Sequence, residues 1–362
     1  MDMTDMKKLQ TVFWHDDVLY AKDQTLVPYE EKMMRLETVQ QVCDAIYALA
    51  IRGAPAIGVG GAYAMVLAVR EAPSQDLAAV VKYLTDKAPE IAAVRPTATN
   101  LSWAVTKQMD VVKAGAASTE ELSAKLLKRA HAISKMEVET AHAVSQLGAD
   151  LLPAEGANII THCNTGPLCT IDIGMCMGAA IYAHQQGKNV RVYTDETRPR
   201  LQGAKINAYE LRQYGVPYTL ITDNMAAYAM QQGLIDIAFV GADRLVANGD
   251  MAAKIGVYGL AVLAQAHGIP FYGFCPMSTF DDSFESGDQI KIEERPSQEV
   301  LCINGKQLAP EDTPVLNPAF DVTPHRYFAG IITEVGIAYP PYKKSLKELK
   351  AKYDERMATM DW

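Results

Sequence analysis

The chain has 362 residues, of which 49% are hydrophobic and 21% are charged, and its formal net charge is −9. This composition is typical of a folded globular protein and excludes collagen-like, mucin-like and disordered classes, while the length favours two domains. The acidic charge disfavours non-specific binding to nucleic acid or to an anionic membrane, so we expect neither partner. Grouped arginines can nevertheless hold a small anionic ligand inside an acidic protein.

The start of the chain and the cysteines indicate its compartment. The first residues, MDMTDMKKLQTVFW, lack the basic and then apolar layout of a secretory signal. No run reaches the roughly 18 unbroken apolar residues of a membrane span. The six cysteines, which show no paired C-x-x-C spacing, are Cys43, Cys163, Cys169, Cys176, Cys275 and Cys302. We therefore expect a cytoplasmic protein with reduced thiols.

Residues 1–130 are predicted to form a smaller, mainly helical N-terminal domain with short strands near residues 10 to 30. Helical spacing of apolar residues recurs in TVQQVCDAIYALAIRG and GGAYAMVLAVREA. A longer helix begins at STEELSAKLL, where Ser118 resembles an N-cap and acidic residues follow in the first turn. The pattern changes between residues 130 and 155, which is where we place the domain boundary.

Two arginines of this domain stand beside residues that restrict the backbone. Arg52 lies in IRGAPAIGVGGAYAM and Arg95 in VRPTATNLSW, and each is either held in a defined place or simply a surface charge. The glycines of the first motif do not form a dinucleotide fingerprint, because Tyr63 occupies the third glycine position and the segment is helical. They favour tight helix packing instead, and we expect no cofactor.

Residues 131–362 are predicted to form a Rossmann-like catalytic domain. Short β-branched runs alternate here with helical segments, which is typical of a doubly wound, mainly parallel sheet buried on both faces. The runs are ANIITHC, NVRVYTDE, YTLITDN, IDIAFVGADR, IPFYGFCP and FAGIITEVG. The predicted fold class is therefore α/β.

Polar residues follow several of these runs. In such a sheet ligands bind outside the carboxyl ends of the strands. Cys163, Asp195, Thr197, Asp223 and Asp243 occupy these positions, so we expect them along one rim. Cys163 is either a buried small hydrophobe or a functional thiol. Asp243 is either a turn residue or an acid in a partly apolar cleft.

The neighbours of Cys163 argue against two other kinds of site. His162 adjoins it, but successive side chains of a strand point to opposite faces, so we expect no Cys/His dyad. Cys163, Cys169 and Cys176 fit no zinc spacing, and we expect no metal.

A second polar segment, DETRPRLQGAK, stands directly before a predicted helix and contains Arg198, Arg200 and Gln202. Backbone N–H groups at a helix start attract anions, and neighbouring arginines reinforce that attraction. The segment is therefore either a phosphate site or a solvated charged loop.

Motifs along almost the whole chain resemble the methylthioribose-1-phosphate isomerase family, itself similar to the regulatory subunits of the eukaryotic translation initiation guanine-exchange factor. They are IRGAPAIG, RPTATNLSWA, THCNTG, TDETRPRLQGAK, LITDNMAA, GADRLVANGD, STFD, NPAFDVTP and IITEVG. The resemblance implies a homodimer that isomerises an aldose 1-phosphate to its ketose with no metal or organic cofactor. It identifies Cys163 and Asp243 as catalytic. The positions it assigns to substrate binding are Arg52, Gly53, Ala54, Arg95, Gln202, Ala253 and Lys254.

One of these positions departs from the family. Members usually have Asn-Lys where this chain has Ala253-Lys254, so a polar group that would bind substrate is missing. The change leaves open a related substrate such as 5-deoxyribose 1-phosphate or ribose 1,5-bisphosphate. A non-catalytic regulatory subunit is a further alternative, which the presence of both Cys163 and Asp243 disfavours. A dehydrogenase is disfavoured because no strand precedes a G-x-G-x-x-G turn.

The implied reaction needs an acid and a path for hydrogen. A 1-phosphorylated furanose cannot open as a free sugar does, so its ring oxygen must be protonated as the bond to C1 breaks. We assign that role to Asp243. Hydrogen then moves from C2 to C1. Either Cys163 abstracts the C2 proton as a thiolate, or a hydride shifts directly while Cys163 assists the proton movements.

Overall fold

The computed structural model describes residues 11–95 and 99–360, which divide into two compact units. The first unit comprises the described residues through His142, then Gly166–Gly174 and the end of the chain from Met357. The second comprises Ala143–Thr165 and Met175–Arg356. The first ten residues and residues 96–98 of the Arg95 motif lie outside the described residues. The predicted boundary near residue 130 stays a prediction.

The first unit is mainly helical, as predicted, and includes a small antiparallel sheet. Its elements are β1 (Val12–His15), β2 (Val18–Lys22), β3 (Met33–Leu36), α1 (Val39–Tyr47), α2 (Ala54–Glu71), α3 (Leu77–Ala92), α4 (Thr99–Ala114) and most of α5 (Thr119–Asp150). The core centres on α2, in which Pro55–Val69 are all buried. A Cβ atom at Gly61 would collide with Leu101 of α4. Glycine here permits close helix packing, which confirms the sequence interpretation.

The second unit contains the remaining strands and helices. The strands are β4 (Asn158–His162), β5 (Arg191–Asp195), β6 (Tyr218–Ile221), β7 (Ile237–Gly241), β8 (Arg244–Val246), β9 (Met251–Lys254), β10 (Phe271–Phe274), β11 (Phe280–Asp281), β12 (Cys302–Ile303), β13 (Lys306–Gln307), β14 (Phe320–Thr323), β15 (Gly330–Thr333) and β16 (Gly336–Ala338). The helices are α6 (Cys176–Gln185), α7 (Ala208–Tyr214), α8 (Ala226–Gln231), α9 (Val257–Ala266), α10 (Gln298–Leu301) and α11 (Tyr342–Thr359).

The main sheet of this unit has the order β16-β15-β10-β7-β4-β5-β6. All pairs are parallel except that of β15 with β16. The six apolar runs of the sequence are the six parallel strands, and their order is third, second, first, fourth, fifth and sixth along the chain. This is the Rossmann order, and the predicted fold class is confirmed.

A second sheet, with the order β11-β8-β9-β14, was not predicted. Its strands have two to four residues, too few to show a periodic pattern. It places β9, the strand that ends at Lys254, between β8 and β14. Across the described residues, no helix combines the length and the apolar character that crossing a membrane would require.

Candidate functional site

Cys163 and Asp243 follow two strands that are neighbours in the main sheet. Cys163 comes directly after β4, and Asp243 comes shortly after β7. These strands pair in parallel with His162 opposite Val240. The chain passes from β4 to β5 and β6 on one side, whereas β7 leads to β10 and β15 on the other. Doubly wound proteins open a ligand crevice at this reversal of strand order.

The loops after β4 and β7 also touch each other. Gly241, the last residue of β7, packs so closely on Thr165 that a Cβ atom there would collide with the threonine methyl group. The N–H of Asp243 donates to the carbonyl oxygen of Ala252 at 2.9 Å, which ties the loop to β9. Cys163 and Asp243 are both partly exposed. Both are therefore accessible at the carboxyl end of the sheet.

The backbone of Cys163 has an unusual conformation and is held on both sides. Its φ is +64°, in the left-handed region that a cysteine rarely adopts. Its N–H donates to Oγ1 of Thr197 at 2.9 Å, and its carbonyl oxygen accepts from Nδ2 of Asn207 at 2.8 Å. Non-glycine residues persist in such conformations only where their surroundings enforce them, and they cluster at functional sites.

The loop after β5 supplies this support and is itself fixed. Thr197 is buried, and its N–H donates to Oδ1 of Asp223 at 2.7 Å. The other oxygen of Asp223 accepts the N–H of Arg198 at 2.7 Å. One carboxylate after β6 thus holds the loop whose threonine contacts Cys163.

A buried polar network lies beneath the same loop. Nδ2 of Asn164 donates to Oδ1 of Asn207 at 2.9 Å and to Oε2 of Glu210 at 2.6 Å. Asn207 ends a π-helical turn, Gly203–Asn207, that leads into α7. π-Helical turns are rare and occur often at functional sites. The network orients Asn207 toward the carbonyl of Cys163.

The segment before this turn divides into a structural part and a candidate binding residue. Arg198 donates to the carbonyl of Val300 at 2.8 Å, and Arg200 forms an ion pair with Glu299 at 3.1 Å. Both guanidinium groups therefore have protein partners, which favours the charged-loop interpretation for them. The side-chain oxygen of Gln202 is buried and accepts no hydrogen bond from any described residue. A donor on a ligand could supply this missing bond.

His162 faces away from Cys163 and is engaged at both ring nitrogens. Nδ1 lies 2.8 Å from Oδ2 of Asp195, and Nε2 lies 2.9 Å from the carbonyl oxygen of Ile255. Neither nitrogen is available to the thiol, as the alternation of side chains along a strand predicted. Burial lowers the pKa of His162, but the hydrogen bond to Asp195 and the nearby carboxylates outweigh it and raise the pKa above its usual value.

The same side chains form the one group, among residues 11–95 and 99–360, whose ligand atoms lie close enough to share a metal ion. The atoms of His162, Asp195 and Asp223 lie within 4.8 Å of one another. The direct contact between Nδ1 and Oδ2 leaves no room for an ion between them, and both oxygens of Asp223 already accept backbone N–H groups. The arrangement is that of a hydrogen-bonded network.

Ala253 and Lys254 end β9, beside the loop that carries Asp243. Ala253 is fully buried and lies opposite Asp321 of β14. Lys254 is partly exposed, with its ammonium group 4.7 Å from the centre of the Phe320 ring. Lys254 can therefore present a cation at this rim, whereas the side chain of Ala253 offers only a methyl group.

The remaining predicted residues belong to the first unit. Arg52, Gly53 and Ala54 are partly exposed at the start of α2, where unpaired amides attract anions. Gly53 has φ +92°, and a Cβ atom there would collide with the carbonyl of Cys169. Only glycine fits at this position. Arg95 is partly exposed and follows α3.

Sequence reasoning did not identify every residue that shapes the site. Thr197 and Asp223 were recognised as strand-end residues but had no assigned role. Asn207 and Glu210 were missed, because both lie within a helical segment whose sequence carries no local sign of a network. Only the packing of this segment against β4 and β5 turns them toward Cys163.

The chain is similar to known proteins over most of its length. A profile of the Initiation factor 2 subunit family matches residues 50–340. The methylthioribose-1-phosphate isomerase 2 of Pseudothermotoga lettingae is 43% identical over 344 residues, which cover 95% of this chain and 99% of that protein. The methylthioribose-1-phosphate isomerase of Dehalococcoides mccartyi is 46% identical over 329 residues, which cover 91% and 98%.

Solved structures are similar over the same length. The 5-methylthioribose 1-phosphate isomerase from Pyrococcus horikoshii OT3 matches with a TM-score of 0.89 and 40% identity, covering 95% of this chain and 96% of that one. The translation initiation factor eIF-2B subunit delta from A. fulgidus matches with a TM-score of 0.85 and 38% identity, covering 94% and 98%.

Proposed function

Since the chain belongs to the Initiation factor 2 subunit family and, within it, to the methylthioribose-1-phosphate isomerases, we propose that it converts 5-methylthioribose 1-phosphate to 5-methylthioribulose 1-phosphate in methionine salvage. It is an enzyme of the aldose–ketose isomerase class, an intramolecular oxidoreductase acting on a phosphorylated sugar. The single observation that carries the site assignment is the position of Cys163 and Asp243 after two adjacent strands at the reversal of strand order.

Asp243 is the proposed acid of ring opening. It delivers a proton to the ring oxygen as the bond between this oxygen and C1 breaks, and the bonding electrons stay on the oxygen, which becomes the 4-hydroxyl group. The positive charge left at C1 is shared with the phosphate ester oxygen. The proton that restores the acid comes from the 2-hydroxyl group when the ketone forms, so no external reductant or oxidant is needed.

Cys163 is the proposed residue for hydrogen movement between C2 and C1. In one route its thiolate removes the C2 proton, an enol forms, and C1 is reprotonated. In the other route a hydride passes from C2 to C1 while Cys163 assists loss of the hydroxyl proton. Turnover in deuterated water separates the routes, because only the first introduces solvent deuterium at C1.

The binding residues have separate proposed tasks. The unpaired oxygen of Gln202 accepts from a substrate hydroxyl group, and Lys254 attracts the phosphate. The assignments of Arg52, Gly53, Ala54 and Arg95 to substrate binding stay predictions. The KM values of Arg52→Lys and Arg95→Lys test the two arginines. Lysine retains the charge but loses the bidentate geometry of arginine, so KM should rise if the arginine binds the substrate. We further propose that the enzyme is cytoplasmic and homodimeric, and that it uses no cofactor and no metal.

Phosphorus NMR of the purified protein with methylthioribose 1-phosphate tests the function. We expect the wild type to convert it to the ketose phosphate, and Cys163→Ser and Asp243→Asn to lose about 10²- to 10⁴-fold in kcat. Cys302→Ser and Asp312→Asn are matched controls, because neither residue lies on the strands or loops that carry Cys163 and Asp243. A wild type that leaves every tested pentose 1-phosphate unchanged would favour a regulatory subunit instead.

The 5-substituent is tested with the same assay. Methylthioribose 1-phosphate, 5-deoxyribose 1-phosphate and ribose 1,5-bisphosphate are compared side by side for the wild type and for Ala253→Asn. We expect the methylthio sugar to have the highest kcat/KM. Preference for either other sugar would reassign the substrate and leave the isomerase chemistry in place.

A further inference from the structure

The imidazole of His162 is enclosed between the end of β5 and the turn that follows β9. It is almost fully buried, with hydrogen bonds at both ring nitrogens. The carbonyl oxygen of Ile255 can only accept a hydrogen bond, so Nε2 carries a proton. Nδ1 faces the carboxylate of Asp195, and a neutral imidazole has no second proton to donate there. A second proton therefore lies between Nδ1 and Oδ2, and its place on the ring gives an imidazolium.

The charges around the ring agree with this protonation state. Asp195 is the last residue of β5, and Asp223, two residues after the end of β6, has an oxygen 4.0 Å from Nδ1. Asp321 on β14 interacts electrostatically with the ring, and Glu196 lies next to Asp195 in the chain. The groups that interact electrostatically with the ring, Asp195, Asp223 and Asp321, are carboxyl groups. We therefore assign the proton that lies between His162 and Asp195 to the imidazole.

The ring also fixes the turn that follows Lys254. Its Nε2 donates to the carbonyl of Ile255, the residue after this lysine. Gly256 has φ +108°, and a Cβ atom there would lie 2.8 Å from Cε1 and Nε2 of the imidazole, so the turn packs directly on the ring. Asp321 accepts the N–H groups of Gly256 and Tyr258 and holds the other side of the turn.

We propose that His162 is an imidazolium, held between Asp195 and the carbonyl of Ile255, and that it is a positioning residue. It fixes the position of Lys254 relative to Cys163, the residue that follows His162 in the chain. The inference rests on the proposed function, because it concerns the placement of two of its residues. His162 itself transfers no proton, since both of its N–H groups are committed to protein acceptors.

NMR of ¹⁵N-histidine-labelled protein tests the protonation state independently of turnover. We expect both ring nitrogens of His162 to be protonated and to show no titration between about pH 5 and 8, where ordinary histidines lose their charge. A ring with one bare nitrogen, or one that titrates with the exposed histidines, would overturn the proposal. Because this measurement needs no substrate, it stays informative if the protein fails to isomerise any sugar phosphate.

Kinetics of His162→Gln test the positioning. Glutamine can retain one of the two hydrogen bonds, and we expect KM for the sugar phosphate to rise about 10- to 100-fold, with a smaller fall in kcat. The matched control is His267→Gln at an exposed position in the same unit, which should leave both constants unchanged. A His162→Gln variant that loses only thermal stability, with KM unchanged, would reduce His162 to a structural residue and reject the proposal.

Asp195→Asn provides a second test should the glutamine variant fail to fold. Asparagine retains an acceptor oxygen for Nδ1 but removes the negative charge, so the pKa of His162 falls and the ring loses its second proton as the pH rises. We expect kcat/KM of this variant to approach the wild-type value near pH 6 and to decline by about tenfold toward pH 8, a decline that the wild type does not show. Parallel pH profiles of the two proteins would contradict the inference.

Discussion

Cys163 and Cys275 each stand directly after a parallel strand of the main sheet, yet their surroundings differ in every respect that matters for reactivity. Cys163 follows β4, is partly exposed and has a left-handed backbone. Cys275 follows β10 and is fully buried, with its sulfur 2.8 Å from Oγ1 of Thr279. Burial raises the pKa of the Cys275 thiol to about 12, against the opposing hydrogen bond.

The difference follows from where each strand lies in the sheet. β4 and β7 flank the reversal of strand order, which is where doubly wound sheets bind their ligands. β10 lies between β7 and β15, and a short 3₁₀ turn, Met277–Thr279, covers its end. Glu334, after β15, accepts the N–H of Met277 at 2.9 Å and closes this part of the rim. Position in the sheet therefore separates the partly exposed thiol, which we propose to be functional, from the buried one.

The largest expected difference is in alkylation. Burial raises the pKa of Cys275 to about 12, so far less of it is present as thiolate at neutral pH than of an ordinary thiol. With iodoacetamide at neutral pH and mass mapping of peptides, we expect Cys163 to be modified and Cys275 to remain intact, with substrate protecting Cys163. Both should react in denaturant. Equal labelling of the two cysteines in the folded protein would contradict the expected difference in their reactivity.

The hydrogen bond that holds the backbone of Cys163 should matter next. Thr197→Val retains the branched shape and deletes the Oγ1 that accepts the N–H of Cys163, whereas Thr197→Ser keeps that oxygen. We expect kcat to fall about tenfold in the valine variant and far less in the serine variant, because the valine leaves a partly buried N–H unpaired. If both variants have the same kcat, the contact does not position the thiol.

A smaller effect, on stability alone, is expected at the structural thiol. Cys275→Ala removes a buried sulfur and should lower the free energy of unfolding by about 1 kcal/mol, with kcat near the wild-type value. Cys302→Ala, at a partly exposed position, is the control and should change stability by less than about 0.5 kcal/mol. Urea unfolding and the isomerase assay measure the two quantities. A loss of kcat without a loss of stability would assign Cys275 to the functional site.

The smallest expected effect is the pH dependence contributed by Glu334. Burial raises the pKa of this carboxyl group, although the N–H of Met277 opposes the shift. The folded protein therefore retains the proton at a pH where the unfolded chain has lost it. Stability falls as the pH rises from the ordinary pKa of glutamate through the raised value, and stays lower above it.

Glu334→Gln removes this dependence and retains an oxygen for the N–H of Met277. We expect the variant to gain stability relative to the wild type as the pH rises through that window. Urea unfolding at a series of pH values measures it. Glu311→Gln, at an exposed position, should show no such trend. A constant difference between Glu334→Gln and the wild type at every pH would show that Glu334 ionises normally.

Local pattern was sufficient to predict the parallel strands and the residues at their ends. A strand buried on both faces needs a short, continuous apolar run, and a change to polar residues marks its end, so Cys163 and Asp243 could be identified from their immediate neighbours. The rejection of a dyad with His162 depended only on the alternation of side chains along one strand. The activity and the binding residues were inferred from motifs, which record a resemblance.

Tertiary structure alone decided which strands became neighbours and which polar groups met. The pairing of β4 with β7 brings together segments that are far apart in the chain. His162 bonds to Asp195, 33 residues away, and to Ile255, 93 residues away. Asn207 and Thr197 contact Cys163 only because a helix and a loop pack against the ends of β4 and β5. The spacing of apolar residues shows which faces of a helix or strand are buried. Hydrogen bonds between distant segments depend on how the helices and strands pack against one another, which this spacing does not show.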